Sequence, residues 1–169
     1  VNAEAKKIKG LFNNMKFDVV IGNPPYQDQA HGDQSNFTAP IYNEFMDLSY
    51  KLSDLVTLIT PARFLFNAGS TPKDWNQKML MDEHFKVVKY IQRSDEVFPN
   101  TDIKGGIIIS LRDNNEVFAS IYDRYKPAHI FVPENDLISI LQKVYYSNFT
   151  SLSNIVYSRT SFKFTKKLH

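Results

Sequence analysis

The sequence predicts an α/β fold in three layers, with a mixed sheet that carries an antiparallel pair at one edge. Three observations predict it. Residues 17 to 22 and 54 to 60 are apolar runs of strand length separated by a helical pattern, the order of a βαβ unit. Residues 85 to 93 and 105 to 111 are two further strand-like runs, and the ten or so residues that join them show no helical period, so antiparallel neighbours are expected. The 169-residue chain is 43% hydrophobic, enough for one domain with a real core.

Taken in order, residues 3 to 13 have the composition of a short helix, limited by Gly10 and the Asn13-Asn14 pair. Phe17, Val19, Val20 and Ile21 then form a run read as a buried strand, closed by Gly22. Residues 27 to 38 are polar and aperiodic, which predicts a loop. From 40 to 52, Ile41, Phe45, Leu48 and Leu52 recur at helical spacing and predict an amphipathic helix packed on the sheet. Residues 54 to 60 read as a buried parallel strand stopped by Pro61. Thr71 is the expected N-cap of a helix running to about residue 83, with Pro72 at its first position and Trp75 and Met79 as core. Beyond the antiparallel pair, Arg112-Asp113-Asn114-Asn115 is turn chemistry, and residues 117 to 122 and 128 to 132 are strand-like extensions of the sheet edge. Glu134 or Asn135 caps a helix carrying Leu137, Ile138, Leu141, Val144 and Tyr145 to about residue 147. Residues 154 to 165 alternate (Ile155, Tyr157, Phe162, Phe164) and suggest strands of another module. The expected organisation is a domain over 1–150 and the start of a second over 151–169.

Composition narrows the chemistry. There is no cysteine, and His31, His84, His129 and His169 have no metal-ligand spacing, so a metal centre is not expected. No apolar run reaches membrane-spanning length and no signal-peptide pattern opens the chain, so a cytoplasmic protein is expected. The net charge of +2 is unevenly spread: residues 1 to 136 hold 15 basic against 18 acidic side chains, whereas 137 to 169 hold 5 basic and no acidic ones. The basic end suits either an approach to phosphate or a solvated tail.

The chemistry concentrates at Asn23-Pro24-Pro25-Tyr26, directly after the first strand. Two prolines without N–H groups hold Asn23 and Tyr26 in fixed directions and leave backbone carbonyls free to accept. Gly22 permits close approach at a strand end, where open α/β sheets place ligands. A planar exocyclic amine is a poor nucleophile because its lone pair is delocalised. Two acceptors, the Asn23 side-chain oxygen and the Pro24 carbonyl, would bind its two N–H groups and free that pair. Tyr26 would stack on the ring. Arg63, after the second strand, is placed either for a phosphate or for an ion pair.

An Asn-Pro-Pro-Tyr after a hydrophobic strand resembles the catalytic motif of S-adenosylmethionine-dependent amino methyltransferases, above all the DNA adenine-N6 enzymes. Residues 40 to 45, 59 to 64 and 102 to 106 (Asp102-Ile103-Lys104-Gly105-Gly106) resemble, in order and rough spacing, segments of the methylase part of bacterial Type II restriction-modification enzymes. The resemblance spans roughly residues 17 to 131. It implies the C-terminal half of a Rossmann-like class I methyltransferase fold, with Asn23, Pro24, Pro25 and Tyr26 catalytic and a flipped adenine held between Tyr26 and Phe98, which precedes Pro99 in the loop before the buried antiparallel strand. It also implies S-adenosylmethionine as cofactor, double-stranded DNA as partner with Arg63 and Lys104 as contacts, a restriction endonuclease or fused nuclease domain as companion, and target recognition beginning after residue 150.

None of the six glycines forms the Gly-x-Gly turn that holds the cofactor in such enzymes, and the first residue is Val1. The expectation is therefore a fragment whose cofactor-binding half lies upstream and which alone neither binds the cofactor well nor turns over. Protein-glutamine or RNA methylation, and a non-catalytic nucleic-acid-binding module, stand as alternatives.

Overall fold

The computed structural model describes residues 2–28, 39–126, 128–145, 150, 152, 155 and 156. The chain divides into two compact units, Val1–Pro133 and Glu134–His169. The first is a mixed α/β unit. Helix α1 (Asn2–Leu11) leads to strand β1 (Phe17–Gly22), helix α2 (Tyr42–Leu52) and strand β2 (Ser53–Pro61). A 3-10 turn (Arg63–Phe66), helix α3 (Lys73–Met81), strand β3 (Phe85–Ile91), a 3-10 turn (Ser94–Glu96), strand β4 (Ile107–Asp113) and one helical turn, α4 (Ile121–Arg124), follow. The second unit contains helix α5 (Asn135–Val144), which the sequence had suggested as part of the first domain.

The four strands lie in the order β1-β2-β4-β3. β1 and β2 pair in parallel, with Val19 opposite Leu55 and Ile21 opposite Thr57, as the βαβ pattern requires. β4 is antiparallel to β2 on one side and to β3 on the other, so it is inserted between them. The 3-10 turn Arg63–Phe66 and helix α3 link β2 to β3 and leave the slot that β4 fills on its return.

The core is aromatic. Phe64, fully buried, meets Trp75 at 5.1 Å, Phe85 at 6.2 Å and Tyr42 at 6.3 Å between ring centroids. Met46, Val56, Leu65, Met79, Leu80, Ile107 and Ile108 are likewise buried, with Ile107 and Ile108 on opposite faces of β4. Trp75 and Met79 are core residues, as their spacing on α3 suggested. On the polar side, Arg112 pairs with Asp82 at 2.7 Å and lies over the Tyr50 ring, whose phenol burial keeps strongly protonated.

Four expectations need correction. β1 is not a buried strand: among the described residues it pairs only with β2, and Val19 and Ile21, on one face of the strand, are 48% and 78% exposed because no described element covers that face. The inward face of α2 is Tyr42, Asn43, Met46, Ser49 and Leu52: of the expected Ile41-Phe45-Leu48-Leu52 stripe only Leu52 is buried, and the others are displaced by a position. Tyr42 reaches Phe64 and Trp75, and Ser49 is tolerated inside because its hydroxyl donates to the Phe45 carbonyl (2.8 Å). Residues 117 to 122 and 128 to 132 are not strands. Ser120 instead caps α4 by accepting from the Asp123 N–H (3.1 Å), and Phe131 enters a ring cluster with Phe66, Tyr90 and Tyr125. Finally, Pro72 rather than Thr71 stands at the N-cap of α3, and the Thr71 hydroxyl turns inward to Asn76 (2.7 Å). The loop expected at 27 to 38 and the strands expected at 154 to 165 lie largely outside the described residues.

Candidate functional site

β1 ends at Gly22 and delivers Asn23 to the surface, where the side chain is exposed. Among the described residues, no hydrogen bond uses the Asn23 side chain or the Pro24 carbonyl. The two prolines themselves supply no N–H donor to either acceptor. The chain is then clasped: the Ile41 N–H donates to the Tyr26 carbonyl (3.2 Å), Gln27 bridges Pro40, and the Asp28 N–H donates to the Ala39 carbonyl (3.0 Å). The clasp ties Tyr26 to Ile41, the residue before α2.

Tyr26 is half-buried. Its ring meets Phe98 edge to face, with centroids 6.4 Å apart and planes at 74°. Its hydroxyl is buried without a hydrogen-bond partner among the described residues, and burial pushes its pKa up to about 12, so the phenol is neutral in the physiological range. Phe98 is half-buried and comes from the β3–β4 connection, where the sequence placed it. That connection is organised by Ser94, a buried residue without a role in the sequence reading. Its hydroxyl donates to the Thr101 carbonyl (2.7 Å) and accepts from the Ile103 N–H (2.8 Å), while the Phe98 N–H donates to the Ser94 carbonyl (2.8 Å). A serine opening a Ser-Asp-Glu turn was the available signal.

Beside Tyr26 lies a cavity of about 500 Å³, within the ~300–1,000 Å³ typical of small-molecule sites. Tyr26, Tyr42, Arg63, Asp102 and Lys104 line it. The fold thus brings Tyr26, Arg63 and Lys104 onto one cavity, with Phe98 against Tyr26. Asn23, Pro24 and Pro25 are not part of that wall; they stand at the strand end next to it. Gly105 and Gly106 adopt left-handed φ of 88° and 76° where β4 begins. A Cβ on Gly106 would stand 2.5 Å from the Ile91 carbonyl oxygen, so only glycine lets the ends of β3 and β4 close.

No helix among the described residues is long and apolar enough to cross a membrane. The family model for the Eco57I restriction-modification methylase matches residues 1–98. An uncharacterized adenine-specific methylase of Mycoplasma pneumoniae is 32% identical over 109 residues, which is 63% of this chain and 26% of that relative. The chain therefore spans about a quarter of the length of this relative. No solved structure matches the chain significantly.

Proposed function

The chain belongs to the Eco57I restriction-modification methylase family, and from that membership we propose that it is the catalytic-motif part of a DNA methyltransferase acting on the exocyclic N6 of an adenine turned out of the duplex. The observation that carries this reading is the meeting of Tyr26 and Phe98 beside two open acceptors. Asn23 Oδ1 and the Pro24 carbonyl accept the two amine protons, which favours a pyramidal nitrogen and frees its lone pair. The neutral Tyr26 ring supports the base face. A base between two parallel rings needs them ~7–8 Å apart, so one of the two rings turns when the base enters. An amide substrate would use the same acceptors, but two aromatic rings brought together at the site suit a flat heterocycle better.

S-adenosylmethionine is the methyl donor this reading requires, and it supplies an electrophilic methyl group when bound. The residues of this chain do not fit its whole site. No Gly-x-Gly turn is present, and the left-handed glycines 69, 105 and 106 serve the Arg63 stem and the β3–β4 junction. In this reading β1, the terminal strand of the sheet among the described residues, is where the sheet of a Rossmann-like fold continues into the part that holds the cofactor.

The two-ring support is tested by replacing the target adenine with 2-aminopurine, whose fluorescence rises on unstacking. Stacking on an aromatic ring contributes ~1–3 kcal/mol per base, so Phe98→Ala in the complete protein should lower the population of extruded base about fivefold or more. Unchanged fluorescence would remove Phe98 from the site.

A further inference from the structure

Arg63 is an exposed arginine in an unusual seat. It makes no ion pair among the described residues, although Asp102 lines the same cavity. Its aliphatic stem runs between two glycines with left-handed backbones, Gly69 at φ 87° and Gly105 at φ 88°. A Cβ on Gly105 would stand 2.6 Å from Arg63 Cγ, and one on Gly69 would stand 3.3 Å from Arg63 Cβ and 3.6 Å from its Nε. At Gly105 the stem leaves no room for a side chain, and at Gly69 very little.

Both walls are tied down. On the Gly69 side, the Ala68 N–H donates to the Arg63 carbonyl (3.1 Å) and the Asn67 N–H to the Phe64 carbonyl (2.9 Å). Asn67 is in turn held by Asn76 (3.3 Å), which accepts from the Thr71 hydroxyl (2.7 Å). On the Gly105 side, the Tyr90 hydroxyl donates to the Gly105 carbonyl (3.2 Å), and the Ala62 N–H donates to the Gly106 carbonyl (3.0 Å). Ordering a free arginine on binding costs rotamer entropy. A stem already channelled between rigid glycines has lost much of that freedom before a ligand arrives.

We infer that Arg63, channelled by Gly69 and Gly105, is a positioning residue that takes a backbone phosphodiester next to the nucleotide whose base lies at Tyr26 and Phe98. The inference rests on the nucleic-acid reading above and names the contact that sets the register of the strand. The guanidinium fork suits two phosphate oxygens, and Lys104 on the same wall adds a second cation. This gives the Ile103-Lys104-Gly105-Gly106 segment a use beyond packing: one glycine closes the strand ends, and the other shapes the arginine channel.

The test is a set of seven-nucleotide single strands with a central adenine, in which each linkage in turn is made a neutral methylphosphonate. Binding to the complete protein is followed by fluorescence anisotropy. For the unmodified protein, one linkage flanking the adenine should cost about tenfold in affinity when neutralised, the size expected of a charge-assisted contact. Arg63→Ala should cost about tenfold with the normal strand and nothing further with that neutral linkage. Gly105→Ala, which displaces the stem, should behave like Arg63→Ala. Arg63→Ala gives up only the packing of the stem against the two glycines and introduces no clash, so it remains informative should Gly105→Ala fold poorly. Equal sensitivity of Arg63→Ala and unmodified protein to every neutral linkage would overturn the inference, as would absence of strand binding. Replacing the adenine with an abasic nucleotide separates the two readings. If that leaves affinity unchanged while the Arg63 coupling persists, the base pocket is wrong and the phosphate contact stands.

Discussion

Asn23→Ala should lower methyl transfer by the complete protein by at least ~10²–10³-fold, the loss seen when one preorganised partner of the reacting group is removed. The effect belongs in kcat rather than in substrate binding, because an acceptor that favours a pyramidal nitrogen gains strength only as the amine rehybridises. Asn23 is exposed and its side chain makes no hydrogen bond among the described residues, so its truncation should move stability by no more than ~0.5 kcal/mol. Single-turnover rates with labelled cofactor and a thermal melt give the two numbers. A stability loss with turnover preserved would make Asn23 only a former of its turn.

The largest effect on stability should come from Phe64→Ala. Phe64 is fully buried where α2, α3 and β3 converge, and its ring touches Tyr42, Trp75 and Phe85. Deleting it removes that burial and leaves a cavity that helices joined to a sheet cannot collapse, a cost of ~3–5 kcal/mol. Against a typical domain stability of ~5–15 kcal/mol this is a large fraction. Trp75 is the only tryptophan and lies 5.1 Å from Phe64, so its fluorescence during urea unfolding reports the change where it occurs. A loss below ~1 kcal/mol would mean that the core is centred elsewhere.

The parts of this fold legible in the sequence were those set by local pattern. β-branched runs at 17 to 22 and 54 to 60 on either side of a helix gave the parallel pair, and a short helix-free connection gave the antiparallel one. The insertion of β4 between β2 and β3 was not legible, because no local residue states which neighbour a returning strand will choose. Burial was misread at β1, where an apolar run occupies an edge, and on α2, where Tyr42 and Met46 rather than Phe45 face the aromatic core. At residues 117 to 122 and 128 to 132, apolar residues suggested strands, but the Ser120 cap gave a turn of helix and Phe131 is a single anchor. Of the residues expected at the site, Tyr26, Arg63 and Lys104 line one cavity and Phe98 meets Tyr26, while Asn23, Pro24 and Pro25 stand outside that wall. The glycine channel around Arg63 and the Ser94 clasp could not be named in advance, since both depend on contacts between segments far apart in the chain.

The central claim is that the turn after β1 activates the exocyclic amine of adenine. It is tested most directly by incubating the complete protein with duplex DNA and S-adenosylmethionine carrying an isotopically labelled methyl group, then digesting the DNA to nucleosides for mass spectrometry. The account predicts that the label appears in N6-methyldeoxyadenosine and disappears from it with Asn23→Ala. Label on a cytosine, on a ring nitrogen of adenine, in RNA or on a protein glutamine, with none on the adenine N6, would contradict it.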